Sequence, residues 1–141
     1  MANDLVTVVI PYYNHKDYIE ELLISIQKQT YKNIELIIID DGSSDGTFEK
    51  INRYNDKRVS CFLIKNSGGP AVPRNIGIKH SNGEYIAFCD DDDIWMSNKI
   101  DVQMNYIIKN NIDFVSSNMI VFNNNIDNIL YISKNKKIKS L

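Results

Sequence analysis

The chain has 141 residues, with 16 Lys+Arg set against 18 Asp+Glu, a length that suits one domain burying roughly two-thirds of its unfolded surface. A formal net charge of −2 excludes general attraction to nucleic acid, so no nucleic-acid partner is expected and any anionic ligand needs a local site. Hydrophobic residues at 43% and charged residues at 24% exclude a disordered chain, and apolar runs no longer than strands, such as Leu36–Ile39, exclude a membrane span.

The start, Met-Ala-Asn-Asp, has neither a basic n-region nor an apolar h-region, which predicts a cytoplasmic protein. Five apolar runs rich in Val, Ile, Phe and Tyr follow: Leu5–Ile10, Ile34–Asp40, Val59–Ile64, Glu84–Asp90 and Ile112–Phe122. They are mostly continuous rather than alternating, as strands covered on both faces are. Between the first two, Lys16–Gln29 places Tyr18, Ile19, Leu22, Leu23 and Ile26 on one helical stripe, with Asn14 as the expected cap. A second helix is predicted from about Gly46 to Tyr54 behind Asp45. A third is predicted over Ala71–His80, with Pro70 and Pro73 near its first turn. A fourth starts at the expected cap Ser97 and brings Ile100, Met104, Ile107 and Ile108 together. Strands recurring at strand-helix-strand spacing predict an α/β fold, an open, mainly parallel sheet with helices on both faces. Residues 1–122 are read as this core and 123–141 as an Asn/Lys-rich tail with one weak strand at Ile129–Ile132. Cys61 and Cys89 lie inside apolar runs and read as buried small hydrophobes rather than a disulfide pair.

In such sheets ligands bind beyond the carboxyl ends of the strands. The unusual residues collect there: Pro11-Tyr12-Tyr13-Asn14, Asp40-Asp41-Gly42-Ser43, Asn66-Ser67-Gly68-Gly69 and Asp90-Asp91-Asp92-Asp93 follow strands one to four. Carboxylates about 4 Å apart repel by about 4 kcal/mol at an effective dielectric near 20, a conflict that a divalent cation removes. Mg²⁺ or Mn²⁺ takes one or two carboxylates and completes its shell with water and phosphate oxygens. A solvated acidic turn is the plainer alternative. Asp40-Asp41 at the end of strand two suits a nucleoside, or simply the amides of its own turn. Tyr13 offers a ring to a base, and Arg74 beside the Gly68-Gly69 loop offers a fork to a diphosphate. No G-x-G-x-x-G, no G-x-x-x-x-G-K-[ST] loop, no G-x-S-x-G elbow and no zinc spacing is present.

Val8-Val9-Ile10-Pro11-Tyr12-Tyr13-Asn14, Ile24 to Thr30, and Glu35 to Thr47 resemble the opening of family 2 glycosyltransferases. The resemblance continues through Gly68-Gly69, Arg74-Asn75-Ile76-Gly77 and Gly83 to Phe88, into Asp90–Asp93 and Trp95, and so covers about Leu5 to Ile108. It implies the GT-A fold and a nucleotide-diphospho-sugar donor, often a UDP-sugar, used with Mg²⁺ or Mn²⁺. By position it puts Pro11 and Tyr13 at the nucleobase, Asp41 on the ring N–H and Arg74 near the nucleotide. Asp90 and Asp92 match the acids of a D-x-D motif, Asp92 as the metal ligand and Asp90 near the ribose, with Asp91 in the variable middle place and counted with Asp90 among the nucleotide-binding residues. The resemblance further implies a saccharide or lipid-linked acceptor, with peripheral association at the inner membrane face. After Asp93 only Asp101, Asp113 and Asp127 remain as acidic candidates, none in the Glu-Asp pair that often carries the general base. The expectation is therefore a donor-binding part with its catalytic base unassigned, and with a homodimer through the edge near Val115–Phe122 left open. A nucleotidyltransferase and a non-catalytic nucleotide-binding module are the alternatives.

Overall fold

The structure, a computed structural model, describes residues 4–123 and 125–132, with side chains as far as residue 122. The strands are β1 (Val6–Tyr12), β2 (Ile34–Asp40), β3 (Val59–Leu63) and β4 (Tyr85–Phe88). The helices α1 (Ile19–Gln27), α2 (Thr47–Asn52), α3 (Ala71–His80) and α4 (Lys99–Asn110) alternate with them. All four strands pair in parallel in the order β3-β2-β1-β4, Val6 facing Ile34 on one side and Tyr85 on the other. The chain thus winds outward from β1 to β3 and then returns across to β4. With right-handed crossovers this reversal places α1 and α2 on one face and α3 on the other.

Side-chain alternation along β1 divides the core accordingly. Val6, Val8, Ile10 and Tyr12 pack with Ile19, Leu22 and Ile26 of α1, Ile51 of α2 and Met104 of α4. The opposite face carries Val9 against α3, where Gly77 allows close approach: a Cβ at residue 77 would lie 2.4 Å from Val9 Cγ1. All seven residues of β1 are buried, which is why the run is continuous in the sequence.

Several local expectations are revised. Helix α1 begins at Ile19 without a side-chain cap, and Asn14 instead sits in the left-handed region at φ 51°. There its backbone N–H donates to Ser43 Oγ (3.0 Å) and its Oδ1 accepts the Ser44 N–H (2.9 Å), joining the loops after β1 and β2. Helix α4 begins at Lys99, and its buried Ile100 N–H is taken by Gln29 Oε1 at 3.1 Å, not by Ser97. Gln29 is buried and also donates to the Met96 carbonyl (2.7 Å), so a polar residue of the α1 end caps a helix 71 residues later. Asp45 does serve the start of α2, accepting the Thr47 N–H at 3.0 Å.

The expected fifth strand does not join the sheet. Residues 112–119 form no regular element, and β5 (Ile120–Asn123) pairs antiparallel with β6 (Asn125–Ile132) in a separate two-stranded sheet. Asn111 at φ 50° ends α4, and Ser116-Ser117-Asn118 breaks the apolar run. Phe114 remains 77% exposed, so the run lacks the second covered face that a central strand needs. Among the described residues the edge strands of the main sheet are consequently β3 and β4, not Val115–Phe122. Cys61 and Cys89 are both free, and burial pushes the Cys61 thiol up to about 12. Among the described residues no helix is long and apolar enough to cross a membrane.

Candidate functional site

The winding reverses between β1 and β4, and a cleft of about 260 Å³ opens beyond the carboxyl ends of the strands there. Its walls come from four loops: Pro11, Tyr13 and His15 after β1, Asp41 after β2, Gly69 to Arg74 around the start of α3, and Asp90 to Asp92 after β4. Every site residue expected from the sequence, Pro11, Tyr13, Asp41, Arg74, Asp90, Asp91 and Asp92, therefore lines one cavity.

The two aspartates after β2 divide their work. Asp40 is fully buried and its Oδ1 accepts the Ser43 N–H (2.8 Å) within the turn. Asp41 is 4% exposed and is held from β3's loop: Oδ1 accepts the Ser67 N–H at 2.8 Å and Oδ2 the Ser67 hydroxyl at 2.9 Å. Its carbonyl accepts Asn66 Nδ2 (2.8 Å) and its N–H donates to the Tyr12 carbonyl (2.8 Å). Each carboxylate oxygen keeps one lone pair for an N–H arriving from the cleft. Gly42 makes the approach of these loops feasible, since at φ 79° a Cβ there would lie 2.8 Å from the Asn66 nitrogen.

Tyr12 and Tyr13 point to opposite sides, as strand alternation requires. Tyr13 is 48% exposed at the cleft. The Tyr12 hydroxyl is buried among polar partners: it donates to Asp45 Oδ2 (2.5 Å), accepts from Thr47 Oγ1 (2.6 Å) and accepts the His15 N–H (3.0 Å). Burial, and then the neighbouring Asp45 carboxylate, push the Tyr12 phenol well above its ordinary range.

The acidic run is sorted one residue at a time. Asp90 Oδ1 accepts Arg74 Nη2 at 2.5 Å. Asp91 is 8% exposed and turned toward the β1 loop, with Oδ2 accepting the Tyr13 N–H (3.1 Å) and Oδ1 lying 2.8 Å from His15 Nδ1. That contact raises the His15 pKa, against the opposing effect of burial. Asp93 closes the turn with its N–H on the Asp90 carbonyl (3.1 Å). Burial, with Asp90 and Asp92 nearby, raises its carboxyl pKa. Asp92 is exposed, and among the described residues no hydrogen bond or ion pair engages its carboxylate. Arg74 Nε is buried with no hydrogen-bond partner among the described residues, a donor left over beside the same cleft.

No three His, Cys, Asp or Glu side chains converge on one metal position among the described residues. Of the cleft's carboxylates, Asp92 is the one that could hold a hard divalent cation, whose remaining places would go to water and ligand phosphate. His15 lines the cleft while Asp45 and Ser67 hold Tyr12 and Asp41 in its walls, roles that the sequence does not assign to them. The only local signal was their position in loops already suspected, because each acts through a partner at least 26 residues away.

Residues 7–140 match the family described as Glycosyl transferase family 2. An Escherichia coli protein named UDP-Glc:alpha-D-GlcNAc-diphosphoundecaprenol beta-1,3-glucosyltransferase WfgD is 40% identical over 125 residues, covering 89% of this chain and 49% of that protein. The crystal structure of S. aureus TarS 1-349 in complex with UDP superposes with a TM-score of 0.70 at 33% identity, over 74% of this chain and 32% of that one. A mannosyltransferase from Pyrobaculum calidifontis, PcManGT, in complex with GDP-Man and Mn²⁺, gives a TM-score of 0.60 at 31% identity, over 64% and 28%. The chain belongs to glycosyl transferase family 2, and its parallel sheet with flanking helices is the GT-A arrangement of those structures. It spans about half the length of the first curated relatives it matches.

Proposed function

We propose that this chain is the donor-binding part of a glycosyltransferase that takes a sugar from a nucleotide-diphospho-sugar, by preference a UDP-sugar. The observation that carries the reading is the division of charge in the cleft: among the described residues Asp90 and Asp91 each have a basic partner, Asp92 has none, and Arg74 Nε is left over beside them. A diphosphate with a divalent cation suits both groups at once, the cation for Asp92 and phosphate oxygen for Arg74. Asp92 is the proposed ligand of Mg²⁺ or Mn²⁺, which when bound supplies charge stabilisation to a leaving diphosphate. Pro11 and Tyr13 would face the base and Asp41 would accept its ring N–H, while Asp90 would meet the ribose. UDP and Mn²⁺ in the similar structures support this choice, as does the UDP-sugar donor in the name of the Escherichia coli relative. That name also favours a lipid-linked saccharide acceptor, and with it work at the inner face of a membrane. Residues 1–122 carry the donor side of this reading, and 123–141 are proposed as the start of the acceptor-binding part.

Calorimetric titration of the chain with UDP, with Mn²⁺ and with EDTA, tests the proposal. Mn²⁺ should raise UDP affinity well above the weak binding left in EDTA, and Asp92→Asn should abolish that metal-dependent gain, while Asp101→Asn, whose carboxylate on α4 accepts Asn105 Nδ2 (3.3 Å), should bind normally. Equal UDP affinity with Mn²⁺ and with EDTA would sink it.

A further inference from the structure

Three successive aspartates at one strand end have three different environments, and the middle one is spent on the fold rather than on the open cleft. Asp91 bridges the two strands between which the winding reverses: it belongs to the loop after β4, yet its carboxylate is held by Tyr13 N–H and His15 Nδ1 of the loop after β1. His15 is itself anchored, its N–H on the Tyr12 hydroxyl (3.0 Å) and its ring edge-on to Tyr18 at 5.9 Å. The acidic residues form a tight turn closed by Asp93 N–H on the Asp90 carbonyl, so the directions of neighbouring side chains are coupled. Fixing Asp91 against β1 settles where Asp90 and Asp92 stand. Were Asp91 loose, it would compete with Asp90 for Arg74 and with Asp92 for any cation.

We propose that His15 and Asp91 form a positioning latch across β1 and β4, one that holds the acidic turn so that Asp92 stands free to share a divalent cation with the donor diphosphate. The proposal rests on the donor-binding reading above. Neither residue of the latch needs to touch the nucleotide; their effect passes through Asp92.

The test is UDP titration of the full chain, with Mn²⁺ and with EDTA, for the unaltered protein, His15→Ala, Asp91→Ala, the double variant and His15→Asn. An Asn amide nitrogen reaches about where His Nδ1 stands, so His15→Asn keeps a donor for Asp91. Loss of the His15–Asp91 contact is expected to weaken Mn²⁺-supported UDP binding about tenfold in His15→Ala, and by at least as much in Asp91→Ala, which also leaves the Tyr13 N–H without its acceptor. The double variant should be no worse than Asp91→Ala alone, His15→Asn should recover most of the affinity, and the weak binding in EDTA should not change. Losses that add in the double variant, or an equal loss in EDTA, would overturn the latch, as would His15→Ala binding like the unaltered chain. If the unaltered chain itself ignores Mn²⁺, the donor-binding reading fails and the latch falls with it. Normal metal dependence with an indifferent His15→Ala removes the latch alone.

Discussion

Removing one oxygen atom from Tyr12 should loosen the whole base side of the cleft. Tyr12→Phe keeps the buried ring in its packing beside α1, so almost no apolar contact is lost. What disappears is a hydroxyl with three partners: Asp45 Oδ2 at 2.5 Å, Thr47 Oγ1 at 2.6 Å and the His15 N–H at 3.0 Å. The bond to the Asp45 carboxylate is worth about 1.5–3 kcal/mol and each neutral one about 0.5–1.5 kcal/mol. Asp45 keeps the Lys16 and Thr47 amides, which limits the loss, so about 3 kcal/mol is expected overall. Urea denaturation reads this as a midpoint about 1–2 M lower at unchanged slope. Asp45→Asn in the same background should then cost less than it does alone, because the two changes remove one shared bond. A Tyr12→Phe cost below about 0.5 kcal/mol would show that solvent already satisfies these groups and that the network does not hold the loops together.

Gly77→Ala should destabilise by about 1–2 kcal/mol despite better helix propensity, since its Cβ would stand 2.4 Å from Val9 Cγ1, and Val9→Ala should relieve part of that cost when the two are combined in denaturation experiments. Asp56, which accepts Arg58 Nη2 (2.8 Å), Arg58 Nε (3.1 Å) and Gln27 Nε2 (3.2 Å), is held below the ordinary carboxylate range chiefly by Arg58. Its contribution is fully present above the unfolded carboxyl pKa of about 4 and is lost as pH falls through the lower folded value. Asp56→Asn should therefore cost about 2 kcal/mol at pH 7, a gap to the unaltered chain that narrows in denaturation curves toward pH 2. Asp41→Ala should erase a preference of about tenfold or more for UDP over CDP in the same calorimetry, because cytosine offers no ring N–H at neutral pH. Donor turnover with a broad acceptor panel should remain low in a sample that binds UDP. Beyond Asp93, Asp101 lies on α4 and Asp113 borders a separate groove, and general-base help is worth about 10²–10⁴-fold.

The residues alone determined the α/β plan, because strands buried on both faces must be continuous apolar runs and helices with one buried face must show a stripe. They also marked the cleft: polar, glycine and acidic residues follow each of the first four strands, and parallel winding brings those ends together. Local signals failed where a partner distant in sequence decides the outcome. Asn14 looks like a helix cap, but in the fold it meets Ser43 and Ser44, while the α4 start is served by Gln29. The run Ile112–Phe122 has strand composition, yet Phe114 stays largely exposed, and among the described residues only its last ones pair, with β6. The acidic run is the sharpest instance. Four identical side chains in a row are indistinguishable by residue type. Only the tertiary structure gives Asp90 to Arg74 and Asp91 to His15 and leaves Asp92 without a partner among the described residues, because each assignment depends on which loop the fold brings within about 3 Å.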